Sequence, residues 1–173
     1  MRFYAANNNS LLPAGRRWRE APDEGAETEA RKGKTMTTVQ QLYEAMQALA
    51  PLELAEHWDN PGLLVNCGGE VRRVLVTLDI TPEVVEEAAA KQCEVIVAHH
   101  PVIFAPLKKI GPQEVPYQLV QAGISAVCMH TNLDAAEGGV NDVLADLFGM
   151  KDRTAFAEGC GRVGEIDPVT VPE

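Results

Sequence analysis

The segment at residues 71–98 reads VRRVLVTLDITPEVVEEAAAKQCEVIVA, and it decides the fold. Its first nine residues are a β-branched run of the kind found in strands. Thr81-Pro82 then begins a helix, because threonine caps helices well and proline fits the first helical position. Residues 93–98 are wholly apolar, as in a short strand that is buried on both faces. A strand, a helix and a strand joined by short links predict a layered α/β domain.

The same alternation continues on both sides of this segment. Residues 116–122 suit a short helix that ends at Gly123, residues 124–129 (ISAVCM) suit a buried strand, and residues 140–148 suit another helix. Upstream, a helix begins after Thr37 or Thr38. Its apolar residues recur with the helical period: Val39, Leu42, Tyr43, Met46 and Leu49. We therefore expect an α/β fold in which a layered mixed sheet is flanked by helices.

Residues 1–35 have a different character from the rest of the chain. Polar, basic and acidic clusters follow one another there without helical or strand periodicity. Such a segment buries too little apolar surface to offset the entropy of ordering it. We expect residues 1–35 to be a disordered leader, or to be read from an upstream codon with Met36 as the working start. Residues 36–160 then form the α/β lobe.

The composition narrows the class of protein. Of 173 residues, 46% are hydrophobic and 23% are charged, which is typical of a globular protein. No stretch approaches the roughly 18 apolar residues of a membrane span, and no secretory signal is visible, so we expect a cytoplasmic protein without a membrane partner. The net charge of −10 argues against a nucleic-acid partner and favours cations. The four cysteines lack a CxxC pair, so we expect reduced core residues.

Polar side chains follow two of the predicted strands at the point where each ends. His99 and His100 come directly after CEVIVA, while His130 and Asp134 come after ISAVCM. If the two strands are parallel neighbours, these side chains converge on one edge, where open α/β sheets bind ligands. Imidazole and carboxylate are ligands for Zn, Mn, Fe or Co. The pattern predicts a metal site, with structural strand-end histidines as the alternative.

The side chains of two adjacent histidines reach the same small volume only if the chain bends there. On a regular strand, neighbouring side chains point to opposite faces. Pro101 favours a bend because it ends the strand ladder and keeps His100 extended. Histidines that diverge from one bend can each bind one metal of a pair about 3.5–4 Å apart. Asp134 would add an oxygen ligand, and His130 either a further ligand or a donor that orients one.

Three other residues have simpler explanations than a role in metal binding or catalysis. His57 lies in a predicted loop and is expected at the surface. Cys128 is expected to be a buried core thiol rather than a nucleophile. Asp59 lies in the loop WDNPG at residues 58–62, where aspartate suits a turn; its carboxylate could also face the site, and the sequence leaves both open.

Four stretches of this sequence resemble one protein family closely: HWDNPGLLV at 57–65, VLVTLDITPEVVEEA at 74–88, VAHHPVIF at 97–104 and HTNLDAAEGGVND at 130–142. They are similar to the NIF-three-like proteins, also called GTP cyclohydrolase 1 type 2 homologues. The resemblance runs from Met36 to about Glu165. It implies two α/β lobes per subunit, a toroidal homohexamer, and a dinuclear metal centre that faces an inner cavity.

The resemblance also implies roles for single residues. His99 and His100 match the family's adjacent ligands, one for each of two divalent metal ions, and Asp134 matches a carboxylate ligand. His130 matches a histidine beside the metals. The implied function is a metal-dependent hydrolase that acts on a nucleotide or another phosphorylated small molecule, with catalytic residues unassigned. The alternative is a non-enzymatic metal-handling or interaction scaffold.

The chain departs from the family towards its C-terminus. Family members continue into a second lobe whose His-x-x-x-Glu motif completes both metals. Here residues 161–173 match only the start of that next segment, and no histidine follows His130. We therefore expect an incomplete gene product whose site binds metal weakly. A half site that functions by itself is one alternative. The other is a piece without stable function, which would expose apolar surface.

Overall fold

The computed structural model describes the backbone of residues 2–5 and the whole of residues 37–168. The strands in these residues are β1 (Arg2–Ala5), β2 (Gly62–Val65), β3 (Arg73–Thr77), β4 (Val95–Ala98), β5 (Ser125–Cys128), β6 (Lys151–Phe156) and β7 (Gly161–Glu165). The α-helices are α1 (Val39–Leu49), α2 (Pro82–Ala90), α3 (Val115–Ala122), α4 (Thr131–Ala135) and α5 (Val140–Leu147). Within residues 37–168, no helix combines the length and apolar character that a bilayer crossing requires.

Five of the strands form one mixed sheet, in the order β1-β3-β4-β5-β2. The first four are parallel, and β2 runs antiparallel to β5 at the edge. In the register of the central strands, Ala98 at the end of β4 pairs with Thr77 of β3 and with Cys128 of β5. Three neighbouring strands therefore end side by side, and the segments that follow them leave from one edge of the sheet.

The core has two halves because side chains alternate between the two faces of the sheet. Leu75 and Ile96 point to one face, where they pack under α2 and α3. Val74, Val95 and Val127 point to the other face, where they pack under α1 and next to α4. Full burial of a side chain of this size contributes about 1.5–3 kcal/mol. Burial on both faces explains why these strands are continuous apolar runs in the sequence.

The ends of the helices follow the predicted caps. Thr38 begins α1 with a capping box: its hydroxyl accepts from the Gln41 backbone N–H at 3.2 Å, and the Gln41 side chain accepts from the Thr38 N–H at 2.9 Å. Thr81 caps α2, with Pro82 at its first position. Gly123 ends α3 with φ of +68°, a left-handed conformation that glycine adopts easily.

The N-terminal strand was not predicted. Arg2–Ala5 pairs parallel to β3, within the segment that the sequence analysis expects to be a leader or to be read from an upstream codon. The outer edge of β3 offers unpaired backbone N–H and C=O groups, and pairing through the main chain needs no periodic side-chain pattern. The rest of the predicted leader, and Met36 with it, lies outside the described residues.

Two further differences concern loops and cysteines. Gly62 begins β2, whereas residues 58–62 were expected to form a loop only. β6 and β7 form a separate antiparallel hairpin, and the boundary predicted after residue 160 falls between its strands. Cys93 and Cys128 are buried as predicted, but Cys67 is exposed because it lies in the turn after β2.

Candidate metal centre

The two adjacent histidines leave the sheet at the end of β4. The strand ladder continues through their backbone, since the His99 N–H donates to the Thr77 carbonyl at 3.3 Å and the His100 N–H to the Leu78 carbonyl at 2.9 Å. The chain bends at both residues, as predicted. Their ring centroids lie 5.3 Å apart at an interplanar angle of 43°. Both imidazoles therefore reach the same side of the edge.

A third imidazole joins them from the end of β5. The His130 ring centroid lies 5.1 Å from that of His99 and 5.7 Å from that of His100. One ring nitrogen from each histidine lies within 4.8 Å of the other two, an arrangement that could hold a metal ion. The predicted convergence of the two strand-end segments is confirmed. His57 is exposed, as expected, and stays outside this cluster.

Each of the three rings is held by an oxygen at its Nδ1 atom. The contacts are His99 Nδ1 to the Met129 carbonyl at 2.9 Å, His100 Nδ1 to Asp79 Oδ1 at 2.7 Å, and His130 Nδ1 to Asp59 Oδ1 at 2.8 Å. A carbonyl or an ionised carboxylate only accepts, so each Nδ1 carries the proton and donates. The lone pair of each neutral ring is then on Nε2. This is the tautomer that metal-binding histidines use, with the other nitrogen donating to a carboxylate or carbonyl.

The side chain of Asp59 is fully buried, at 0% exposure, and fixes His130. It also accepts from the Thr131 N–H at 3.1 Å, from the Thr131 hydroxyl, and from the Asn60 N–H at 2.7 Å. Burial acts to raise the pKa of Asp59, but the hydrogen bonds from Thr131, His130 and Asn60 outweigh it and hold the pKa below its usual value. The sequence left Asp59 undecided; the structure makes it the anchor of His130.

Asp79 was missed by sequence reasoning. It lies two residues beyond the end of β3 and accepts from His100 at the surface. The sequence analysis placed residues 71–79 in one strand, so this carboxylate was treated as part of the strand. Its signal was available, because Asp79 follows a buried run in the same way that His99 follows β4.

Asp134 lies on α4 and points towards the cluster. Its Oδ1 is 3.7 Å from His99 Nε2, which is too long for a hydrogen bond. Two ligands of a tetrahedral ion with bonds near 2.1 Å lie about 3.4 Å apart, so this spacing suits two atoms that share one cation. Asn141 holds this end of the helix, since its side chain donates to the Asp134 carbonyl at 3.1 Å. The structure thus brings all four predicted residues together.

Two apolar features border the histidines. A groove of about 440 Å³ includes His99 in its lining and is otherwise walled mainly by apolar side chains such as Leu49, Val76 and Leu133.

The Cys128 thiol is buried next to the site and donates to the His99 carbonyl at 3.0 Å. Burial, with a smaller effect of Asp59, raises the pKa of Cys128 to about 12. Cys128 is therefore an inert core thiol, as predicted.

Comparison with known proteins places the chain in a family. Residues 37–173 match the family model described as Duf34/NIF3 (NGG1p interacting factor 3). A Listeria innocua relative named GTP cyclohydrolase 1 type 2 homolog is 41% identical over 118 residues, which cover 65% of this chain and 32% of the relative. A relative of the same name from Lactococcus lactis is 41% identical over 128 residues, covering 70% of this chain and 50% of the relative.

A solved structure supports the same assignment. The Bacillus cereus protein related to NIF3 superposes with a TM-score of 0.64 at 35% identity, covering 70% of this chain and 35% of that one. The present chain therefore spans about a third to a half of the length of these relatives. The family model spans residues 37–173, which include strands β3, β4 and β5 and the three histidines. On the sequence and on the fold, the chain belongs to the Duf34/NIF3 family.

Proposed function

We propose that this protein binds divalent metal ions at His99, His100, His130 and Asp134 and that the bound metals serve hydrolysis of a nucleotide or another phosphorylated small molecule. One observation carries the proposal: three imidazoles have Nδ1 occupied by oxygen acceptors while their ring nitrogens converge within 4.8 Å. In this proposal the Nε2 lone pairs are the ones that share this small volume, and a cation bound there would offset their mutual repulsion.

The donor set fits one or two small cations. Neutral imidazole and carboxylate suit Zn, Mn, Fe or Co, and the choice among them follows availability as much as geometry. His99 and Asp134 would share one ion, and His100, which diverges at the bend, would bind the second. His130 would complete either one. Four side chains are fewer than two four-coordinate ions need, so the proposal includes water or a second subunit as further ligands.

The chain's own residues would prepare the site for hydrolysis in three ways. Asp59 and Asp79 hold His130 and His100 in the ligating tautomer, so binding requires no ring reorientation. The groove beside His99 leaves one side of the site apolar. Cations in such a site supply Lewis acidity, which activates water and polarises a phosphoryl oxygen. Asp134, at the open side of His99, would place its carboxylate beside the reacting group.

Elemental analysis of a monodisperse sample purified without chelator tests metal binding. We expect metal in the wild-type chain and its loss in His99→Ala, His100→Ala and Asp134→Ala. His57→Ala is the matched control, because His57 is an exposed histidine outside the cluster. A folded wild-type protein that takes up no Zn²⁺ or Mn²⁺ on titration would refute the proposal.

Turnover separates the two candidate functions. Release of inorganic phosphate or of a hydrolysed base from a nucleotide panel, dependent on added metal and abolished by His99→Ala, would support the hydrolase. Tight metal binding without turnover would support the metal-handling or interaction scaffold instead.

We infer that the working form is a cytoplasmic homohexamer, as the family resemblance implies. Support comes from apolar side chains that are exposed on β6 and at the C-terminal end of α5, among them Leu147, Phe148 and Phe156. Exposed patches of this kind mark association surfaces. Light scattering coupled to size exclusion gives the mass directly, and a monomer at micromolar concentration would contradict the inference.

A further inference from the structure

Two aromatic rings stand beside the histidine cluster and have no part in holding it. Trp58 and Phe104 are 53% and 56% exposed, which is unusual for side chains of this size. Their ring centroids lie 6.2 Å apart with the planes tilted by 58°, so the two rings contact each other and form an exposed aromatic pair, which we call the corner. The Trp58 ring also lies 6.5 Å from the His130 ring, nearly perpendicular to it.

The corner is fixed in place by the two residues that follow Trp58. Asp59 is tied to His130 and Thr131, as described above. Asn60 donates from its side chain to the Ile103 carbonyl at 2.6 Å, directly before Phe104 in the chain. The loop that carries Trp58 is therefore fastened both to the histidine cluster and to the segment that carries Phe104. Rings positioned in this way need no reordering when a ligand arrives.

The exposed ring faces define the chemistry of a ligand. Aromatic faces attract a flat ring by stacking, or the positive edge of a ring by a T-shaped contact. Stacking is largely indifferent to the identity of the ring, because every aromatic or heteroaromatic ring has a π-face. A ligand with one end at the corner and the other at the histidines therefore combines a planar ring with an oxygen-rich group that binds metal.

We propose that Trp58 and Phe104 form a ring-binding subsite that selects substrates carrying an aromatic or heteroaromatic ring close to the metal-binding group. The inference rests on the proposed metal centre for the position of the reacting group. Trp58 is then a specificity-determining residue that touches the ring, while Asn60 positions the corner.

Paired probes test the subsite on the full chain loaded with Zn²⁺. Adenosine 5′-monophosphate is compared with ribose 5-phosphate, and phenyl phosphate with butyl phosphate, by ligand-observed NMR titration. Within each pair only the ring differs. We expect the ring-bearing probe to bind about tenfold more tightly in the wild type. Trp58→Ala should abolish that preference and Trp58→Phe should keep most of it. Val120→Ala, which removes an exposed apolar side chain on α3, should leave it unchanged.

Metal content measured on the same samples separates this inference from the proposed function. A ring preference that disappears in Trp58→Ala while zinc content stays constant supports the subsite. Equal affinities within both pairs, or a preference that survives in Trp58→Ala, overturns the subsite even if zinc is bound; the aromatic pair would then be only a protein contact. Absence of zinc with the ring preference intact refutes the proposed metal centre and leaves the subsite standing.

Discussion

Replacing Asp59 by asparagine changes one carboxylate oxygen into an NH₂ group in a fully buried side chain. Asp59 Oδ1 accepts from His130 and Asn60, and Oδ2 accepts from the N–H and the hydroxyl of Thr131. An asparagine keeps the Oδ1 contacts if its NH₂ takes the place of Oδ2. The Thr131 hydroxyl can then rotate and accept, but the Thr131 backbone N–H faces another donor. One buried donor is left without a partner.

The size of the effect follows from these contacts. An unsatisfied buried donor lowers the free energy of unfolding by about 1–3 kcal/mol. The remaining bond from His130 becomes neutral, and charge-assisted bonds are roughly twice as strong as neutral ones. His130 Nε2 becomes a weaker base, so we expect metal affinity to fall about 10- to 100-fold, as for other groups that orient ligand histidines.

Asp79→Asn is the matched control because it makes the same chemical change at His100. The Asp79 side chain is 53% exposed, so water can hydrogen-bond any donor or acceptor that the substitution leaves without a partner. We expect a lower metal affinity but a change in the free energy of unfolding of no more than about 0.5 kcal/mol. Urea unfolding with chelator present measures stability apart from bound metal, and zinc titration measures affinity.

Two outcomes with these variants would refute the reasoning about Asp59. If Asp59→Asn matched the wild type in both assays, the orienting role of Asp59 would be wrong. If Asp79→Asn lost as much stability as Asp59→Asn, the argument from burial would be wrong, even with both affinities reduced.

Three further predictions concern the frame around the site. Gly62→Ala should destabilise the protein by about 1–3 kcal/mol in urea, because φ is +119° and the new Cβ would lie 3.0 Å from Tyr43 Oη; an unchanged midpoint would contradict this. Thr38→Ala should lose about 1 kcal/mol with the capping box of α1, measured by circular dichroism, and no loss would show that the cap is redundant. Hydrogen bonding from Arg162 lowers the pKa of Asp142 from 3.8 to about 2. The Asp142 contribution is therefore fully present above pH 3.8 and is lost as pH falls through 2. Arg162→Met should destabilise most at neutral pH and less at pH 2, where the loss of the Arg162 bonds to the Gly159, Gly161 and Ala136 carbonyls remains.

The parts of the fold that the sequence predicted are those in which burial imposes a pattern. Strands β3, β4 and β5 are covered on both faces, so their residues form continuous apolar runs. β2 has four residues and begins at a glycine with an unusual backbone. β6 is exposed along its whole length, so its side chains are under no pressure to alternate. Such strands are held by main-chain pairing, which leaves little trace in the sequence.

The candidate site shows the same contrast between residues that follow a recognisable pattern and residues that do not. His99, His100, His130 and Asp134 were predictable because each follows a recognisable strand, and the ends of parallel strands meet at one edge. The contacts that anchor the rings were not predictable. Although Asp79 follows a buried strand as His99 does, its contact with His100 spans 21 residues and that of Asp59 with His130 spans 71, and each depends on a loop conformation that no local pattern encodes.

The order of the strands also sets when the site can form during synthesis. β2 is made before β3 and β4, yet its partner β5 is made after both, so the edge strand and the Asp59 loop next to it must wait for residues 125–128. The carboxylate that orients His130 arrives only when this last, non-local pairing closes, which is the slow kind of step in folding. A metal ion at the proposed centre would therefore meet the oriented His130 ring only on a chain whose sheet is finished. Metal uptake would then follow folding. The bound ion would stabilise the native state without having nucleated folding.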